Sequence, residues 1–253
     1  MLRGENGRAV NGAGAEISVG GFSIAGERAE HGNYLRSLAA LREPRFATRL
    51  FAESIPSGGS VVHGGAHIGY HALIAARRVG PRGRVMAFEP NPASYRALRA
   101  NVRRNGYGDR VTALPLGVAA WDSKESRTLS LDSTIGGHSI DVIKLTSAGR
   151  EVEALRGMRR TIELSPTARL FVECNPRRLA DAGSGVAALL DELRGLGMRP
   201  QVIDEFQQQL IGVGRWLADS SGPVQLFCEP AAVTRRLARR VRAAGREPST
   251  VPA

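Results

Sequence analysis

Along the chain, short β-rich apolar runs alternate with stretches whose apolar residues recur at helical spacing. Ser60 to His63 reads as a strand, Gly69 to Val79 as a helix and Arg84 to Glu89 as a second strand. Pro92 to Asn105 reads as a helix presenting Tyr95, Leu98 and Val102 on one face. Val111 to Leu116 and Ile140 to Leu145 are further strands, and Glu151 to Leu164 is a helix with Val152, Leu155, Met158 and Ile162 inward. A strand at Leu170 to Glu173, a helix at Val186 to Leu196 with Leu189, Leu190 and Leu193 on one side, and strands at Gln201 to Ile203 and Val224 to Cys228 complete the series. Upstream, the helical periodicity of Tyr34 to Ser54 is interrupted at Pro44, which predicts two short helices. Strands alternating with helices predict right-handed crossovers and an α/β fold with a doubly wound, mostly parallel sheet. Ligands of such sheets bind beyond the carboxyl ends of the strands.

Residues 1–20, rich in Gly, Ala and polar side chains, show no periodicity and read as a flexible arm, with order expected to begin near Ile17 or Phe22. A single domain is expected over 21–245, its ligand-binding core starting at about 55. Within it, 231–244 forms a basic helix carrying Val233, Leu237 and Val241 on one face, and 246–253 reads as a disordered tail. Packing of that helix on its own domain is favoured over docking on an acidic surface.

Hydrophobic residues make up 42% and charged residues 23%, ordinary globular usage that excludes a wholly disordered chain. Basic residues outnumber acidic ones 35 to 24, for a formal charge of +11, and only Lys124 and Lys144 are lysines. No basic stretch is interleaved with aromatic residues, so nucleic-acid binding is not expected. Cys174 and Cys228 fall in apolar strand-like runs and imply no disulfide framework. No apolar segment approaches the roughly 18 residues that span a bilayer, so integral membrane association is not expected and a cytoplasmic location is. Homo- or hetero-oligomerisation stays open.

The segment SVVHGGAHIGYHAL leads a strand into a helix through Gly64, Gly65 and Gly69. Gly65 can take positive φ and admit a ligand to the backbone, and Gly69 at the helix start leaves N–H groups open to an anion. Ala66 stands where a dinucleotide GxGxxG would have glycine, which argues against a nicotinamide site. About 20 residues on, FEPNP places Glu89 at a strand end, where a carboxylate can accept both hydroxyls of a ribose. A surface glutamate before a helix-starting proline is the plain alternative.

Taken together, SVVHGGAHIGYHALIAA, RVMAFEPNPASYRALRANVRRNG, SLDSTIGGHSIDVIKLTSAGREVEALRGM and LFVECNP resemble, in order and spacing, the FkbM-type S-adenosylmethionine (SAM)-dependent methyltransferases. The resemblance implies a Rossmann-like fold of the class I SAM methyltransferase type, SAM as cofactor and methylation of hydroxyl groups on sugar or natural-product small molecules. Carried over, it assigns the cofactor site to His63, Gly65, Ala66, His67, Gly69, Glu89, Pro90 and Asn91, with Gly117 and Val118 near the adenine. Lys144, Gly149 and Glu151 match a block that in the family usually reads IKxDxEGxE. His63, Thr146 and Ala148 stand where the family has Asp, Asp and Glu.

Methyl transfer is an in-line displacement at a sulfonium, assisted for a hydroxyl acceptor by a base within hydrogen-bond reach. Candidate bases near the strand ends are Glu173, His138 and Glu151. His63, His67 and His71 recur every fourth residue, but only His71 is expected on the helix and no carboxylates stand near, so no metal is assigned. The missing carboxylates keep a second reading open, a non-catalytic methyltransferase-like partner or regulator.

Overall fold

The computed structural model describes residues 14–41, 43, 45–214 and 223–231. The described residues open with a hairpin of β1 (Gly14–Val19) and β2 (Phe22–Glu27), then α1 (Arg28–Ala39) and α2 (Phe46–Ser54). Next come β3 (Ser60–Gly64), α3 (Tyr70–Val79), β4 (Arg84–Phe88), α4 (Pro92–Arg104) and β5 (Val111–Leu114). A small excursion holds β6 (Gly117–Val118), β7 (Thr128–Leu129) and α5 (Leu131–Thr134) before β8 (Val142–Leu145). Two short helices follow, α6 (Glu151–Arg156) and α7 (Arg159–Glu163), then β9 (Arg169–Cys174), α8 (Pro176–Asp181) and α9 (Val186–Gly195). β10 (Met198–Asp204), β11 (Gln209–Gly212) and β12 (Val224–Pro230) finish the sheet.

The main sheet runs β11-β10-β12-β9-β8-β3-β4-β5. β9, β8, β3, β4 and β5 are parallel, as the alternating pattern predicts, while β12, β10 and β11 join antiparallel at one end. The chain order reverses between β3 and β8, so the switch point of the fold lies at the carboxyl ends of those two strands. One core layer gathers α1 to α4 on one face of the sheet, and a second gathers α5, α6, α7 and α9 on the other. α3 lies between the sheet and α2, which is why Ala72, Leu73, Ile74, Ala75 and Ala76 are all buried. A fully buried leucine such as Leu73 contributes about 1.5–3 kcal/mol relative to exposure.

Two expectations need correction. The arm expected over 1–20 includes β1 from Gly14, which pairs with β2 through a two-residue Gly20–Gly21 turn, both at positive φ. The hairpin is held by α4: Asn101 bonds both the N–H and the carbonyl of Ala25, and Asn105 does the same for Ser23. Two side chains one helical turn apart thus act as the partner of an edge strand, a relation that periodicity does not reveal. The helix expected over Glu151 to Leu164 breaks at Gly157, where a Cβ would come 1.9 Å from the carbonyl oxygen of Ala119.

The cysteines are buried in β9 and β12 as free thiols, opposite Val224 and Leu170 respectively. Burial pushes the Cys174 thiol up to about 11. Among the described residues no helix is long and apolar enough to cross a membrane. The basic helix expected at 231–244 falls, beyond Ala231, outside the described residues, as do the tail and residues 1–13.

Candidate active site

At the carboxyl ends of β3, β4 and β8 the structure holds a cavity of about 960 Å³. The loop between β3 and α3 forms one wall. Gly65 sits there at φ 76°, and a Cβ on it would fall 1.9 Å from the carbonyl oxygen of Thr146, so only glycine fits between the strand ends. The N–H groups of Gly65 and Ala66 both donate to the carbonyl of Phe88 at 2.9 Å. That of Gly69 donates to Ala66 at 3.0 Å. The N–H of Gly69 itself is thus taken up within the turn. The turn shapes the wall, and Gly69, at φ 99° with Leu98 2.8 Å from its would-be Cβ, starts α3 from behind the cavity lining.

Glu89 faces the same space and is 6% exposed. Its Oε2 accepts the His67 N–H at 2.7 Å and its Oε1 the Asn91 N–H at 2.9 Å. Burial raises its pKa, and those two hydrogen bonds oppose the rise. A carboxylate has about four acceptor directions, so two remain for a ligand. Asn91 reaches the site only through its backbone, because its side chain caps α4 by accepting from Ala93 and Ser94. Pro90, Gly117 and Val118 line the cavity, together with Ser126 and Thr128 of the excursion after β6.

His67 stands at φ 51°, a left-handed conformation uncommon for residues other than glycine. Its ring packs edge-on against Tyr34 at 4.5 Å and His31 at 5.3 Å, which brings α1 over the cavity. The ring of His63 meets that of His71 instead, at 5.9 Å, so the three evenly spaced histidines divide between two environments.

The cavity floor carries the altered positions. His63 is buried beside Lys144, its register neighbour across β3 and β8. Burial, reinforced by the Lys144 charge, pushes the His63 pKa down to about 3 and that of His71 also well down. Lys144 is lowered to about 8 by burial, and Glu173 draws it partly back. Its ammonium bonds Gln225 Oε1 at 3.4 Å and stands 6.0 Å from the Phe51 ring centroid. Thr146 and Ala148 line the cavity without any carboxylate.

The three candidate bases separate. Glu173 lines the cavity, half-buried, with Oε1 4.0 Å from Arg178. Glu151 does not reach it: its oxygens accept the N–H groups of Ser147 at 2.8 Å and Gly149 at 3.0 Å and brace the loop after β8. His138 is exposed, holds the Ile135 carbonyl at 2.9 Å and is absent from the lining. Tyr34, His71, Lys144 and Gln225 were not singled out as site residues by sequence reasoning, yet all line the cavity. A lysine inside the apolar run VIKL was a readable signal; the placement of Tyr34 depends on how α1 folds back and left none.

Residues 63–127 match the Methyltransferase FkbM domain. The match begins at His63 and takes in the glycine turn, Glu89 and the Gly117–Val118 strand, which together form one side of the cavity, and it is consistent with an FkbM-type methyltransferase. No curated protein sequence matches the chain. Among solved structures, a candidate rRNA-methylase from Clostridium thermocellum is similar with a TM-score of 0.53 and 16% identity over 75% of this chain and 97% of that one. A TehB-like SAM-dependent methyltransferase from Corynebacterium glutamicum is similar with a TM-score of 0.50 and 14% identity over 79% and 97%. These likenesses show the fold: Rossmann-like, of the class I methyltransferase type, in agreement with the FkbM-domain match.

Proposed function

We propose that the protein is a SAM-dependent methyltransferase that methylates a hydroxyl on a small molecule, of the sugar or natural-product class. The observation that carries this is Glu89, buried and fixed by two backbone N–H groups at the edge of a large cavity, across from a turn where only glycine fits. The residues suit such a cofactor. Glu89 has acceptor directions left for ribose hydroxyls, Gly117 and Val118 give a flat wall for a base, and Gly65 lets the chain of the ligand pass close to the backbone. SAM supplies a methyl group activated by its sulfonium.

The protein's own part is orientation and proton acceptance. The neighbourhood of Thr146, Ser147 and Ala148 borders the space next to Glu173, which is the carboxylate in the lining left to take the hydroxyl proton once Glu89 is engaged. Arg178, 4.0 Å from Glu173, steadies that carboxylate. The acceptor is the expected small-molecule partner, and the site is read as cytoplasmic. The absence of carboxylates at positions 63, 146 and 148 favours the second reading, a cofactor-binding protein without turnover.

Calorimetry with SAM and with its demethylated product S-adenosylhomocysteine (SAH) tests the cofactor claim, which is overturned by the absence of both heat and thermal shift at millimolar ligand. Mass spectrometry of hydroxylated small molecules incubated with SAM separates the two readings. Methyl transfer lost in Glu173→Gln supports the enzyme, whereas SAM binding with no product from any acceptor supports the non-catalytic partner.

A further inference from the structure

Lys144 is a buried cation in search of a counter-charge. It is 6% exposed, it has no ion pair among the described residues, and its ammonium donates to a neutral amide, Gln225. Glu173, the acidic side chain that draws on it through space, has its ion pair with Arg178. Beside Lys144, His63 is 3% exposed, and its Nδ1 is buried with no hydrogen-bond partner. Both line the cavity, side by side on adjacent parallel strands. Native proteins rarely leave a buried nitrogen orphaned or a buried ammonium unmatched unless a ligand completes them.

We propose that Lys144 and His63 form a carboxylate-binding subsite in the floor of the cavity. The inference rests on the reading of the cavity as a SAM site and gives its floor a chemistry. The ammonium supplies the charge, and the neutral imidazole of His63 beside it supplies an N–H donor toward the same ligand. A ligand ammonium at the same place is disfavoured, because it would stand against the charge of Lys144 with no acid at position 63 to balance it. Two ligands can bring the carboxylate: the amino-acid portion of the cofactor, or the acceptor.

The test is calorimetry on the full chain with three adenosyl ligands: 5′-methylthioadenosine, which lacks the amino acid, SAH, and decarboxylated SAH, which keeps only the ammonium. If the cofactor brings the carboxylate, decarboxylated SAH binds about ten- to a hundred-fold more weakly than SAH. If the acceptor brings it, the SAH-loaded protein binds glucuronate in preference to glucose by a similar factor. Either preference disappears in Lys144→Met, and a preference that survives there overturns the assignment. Should that variant not fold, the ligand series on the unaltered chain decides alone. SAH no tighter than its decarboxylated form, with glucuronate no better than glucose, overturns the subsite. Binding of 5′-methylthioadenosine in that case leaves the cofactor reading standing, while no binding of any adenosyl ligand removes both.

Discussion

The carbonyl oxygen of Thr146 occupies the space a side chain at Gly65 would need, 1.9 Å from the ideal Cβ. The Thr146 carbonyl thus leaves no room for a side chain at this seam between β3 and β8, and both residues line the cavity. Gly65→Ala adds both this overlap and a positive φ of 76°, so it should destabilise the fold by about 3 kcal/mol or more and abolish SAH binding. Gly117→Ala is the control. Its Cβ meets Thr128 at an ordinary 3.4 Å, and its melting temperature should stay near that of the unaltered protein. Urea unfolding of the two variants checks the contrast.

Glu89→Gln removes one of the two acceptors that hold the His67 and Asn91 N–H groups. A buried N–H left facing an amide NH2 costs about 1–3 kcal/mol. SAH affinity should fall roughly ten-fold or more, as the same carboxylate is assigned to the ribose. Calorimetry beside a thermal melt separates the effects. Unchanged affinity with a lowered melting temperature would show that Glu89 only supports the turn.

Glu151 has a different burden. Its carboxylate holds the loop from Ser147 to Gly149, in which Ala148 sits at φ 53° and a Cβ on Gly149 would come 2.2 Å from the Arg178 carbonyl. Glu151→Ala leaves two loop N–H groups without partners and should destabilise the protein by about 2–4 kcal/mol. Any turnover should fall through loss of loop order, and Glu151→Gln, which can still accept at one oxygen, should recover part of both. A pH profile of activity identical in Glu151→Gln and the unaltered chain would confirm that this group is not the base.

Acid should destabilise the protein through its buried histidines. Unfolded His63 takes up a proton near its ordinary 6.5, whereas the folded ring resists protonation down to about 3. Between those values the unfolded chain binds more protons, so stability falls as the pH drops. From pH 7 to 5.5, His63 alone should account for about 1 kcal/mol. His31, His67 and His71 shift in the same direction and add to it. Glu89 and Glu151, raised by burial, act oppositely just above 4.5, so the measurement stops at 5.5. Unfolding free energies of the unaltered chain and His63→Asn across this range provide the check, and parallel curves would contradict it.

The sheet was legible because its parallel strands are local apolar runs, most of them followed by a helix with one apolar face, and the turn at Gly65 announces itself by its glycines. What escaped depends on distant partners. β1 looks like a polar arm until Asn101 and Asn105 cover the edge of β2. The break at Gly157 needs the Ala119 carbonyl, 38 positions back by the numbering, to explain it. Glu151 and Glu173 are equal as acids near strand ends, and only the path of the loop after β8 decides that one is consumed by backbone while the other faces the cavity.

The placement of β12 between β9 and β10 bears on how the protein comes off the ribosome. Gln225, the amide that touches Lys144, arrives on this strand, the last of the described ones, and until then β9 and β10 have no sheet partner between them. Non-local pairing of this kind is slow and leaves strand edges open while it is awaited. A nascent chain that has already emerged as far as β10 should thus be unable to retain an adenosyl ligand at its floor, and competence should appear abruptly once residues 224–230 clear the exit tunnel.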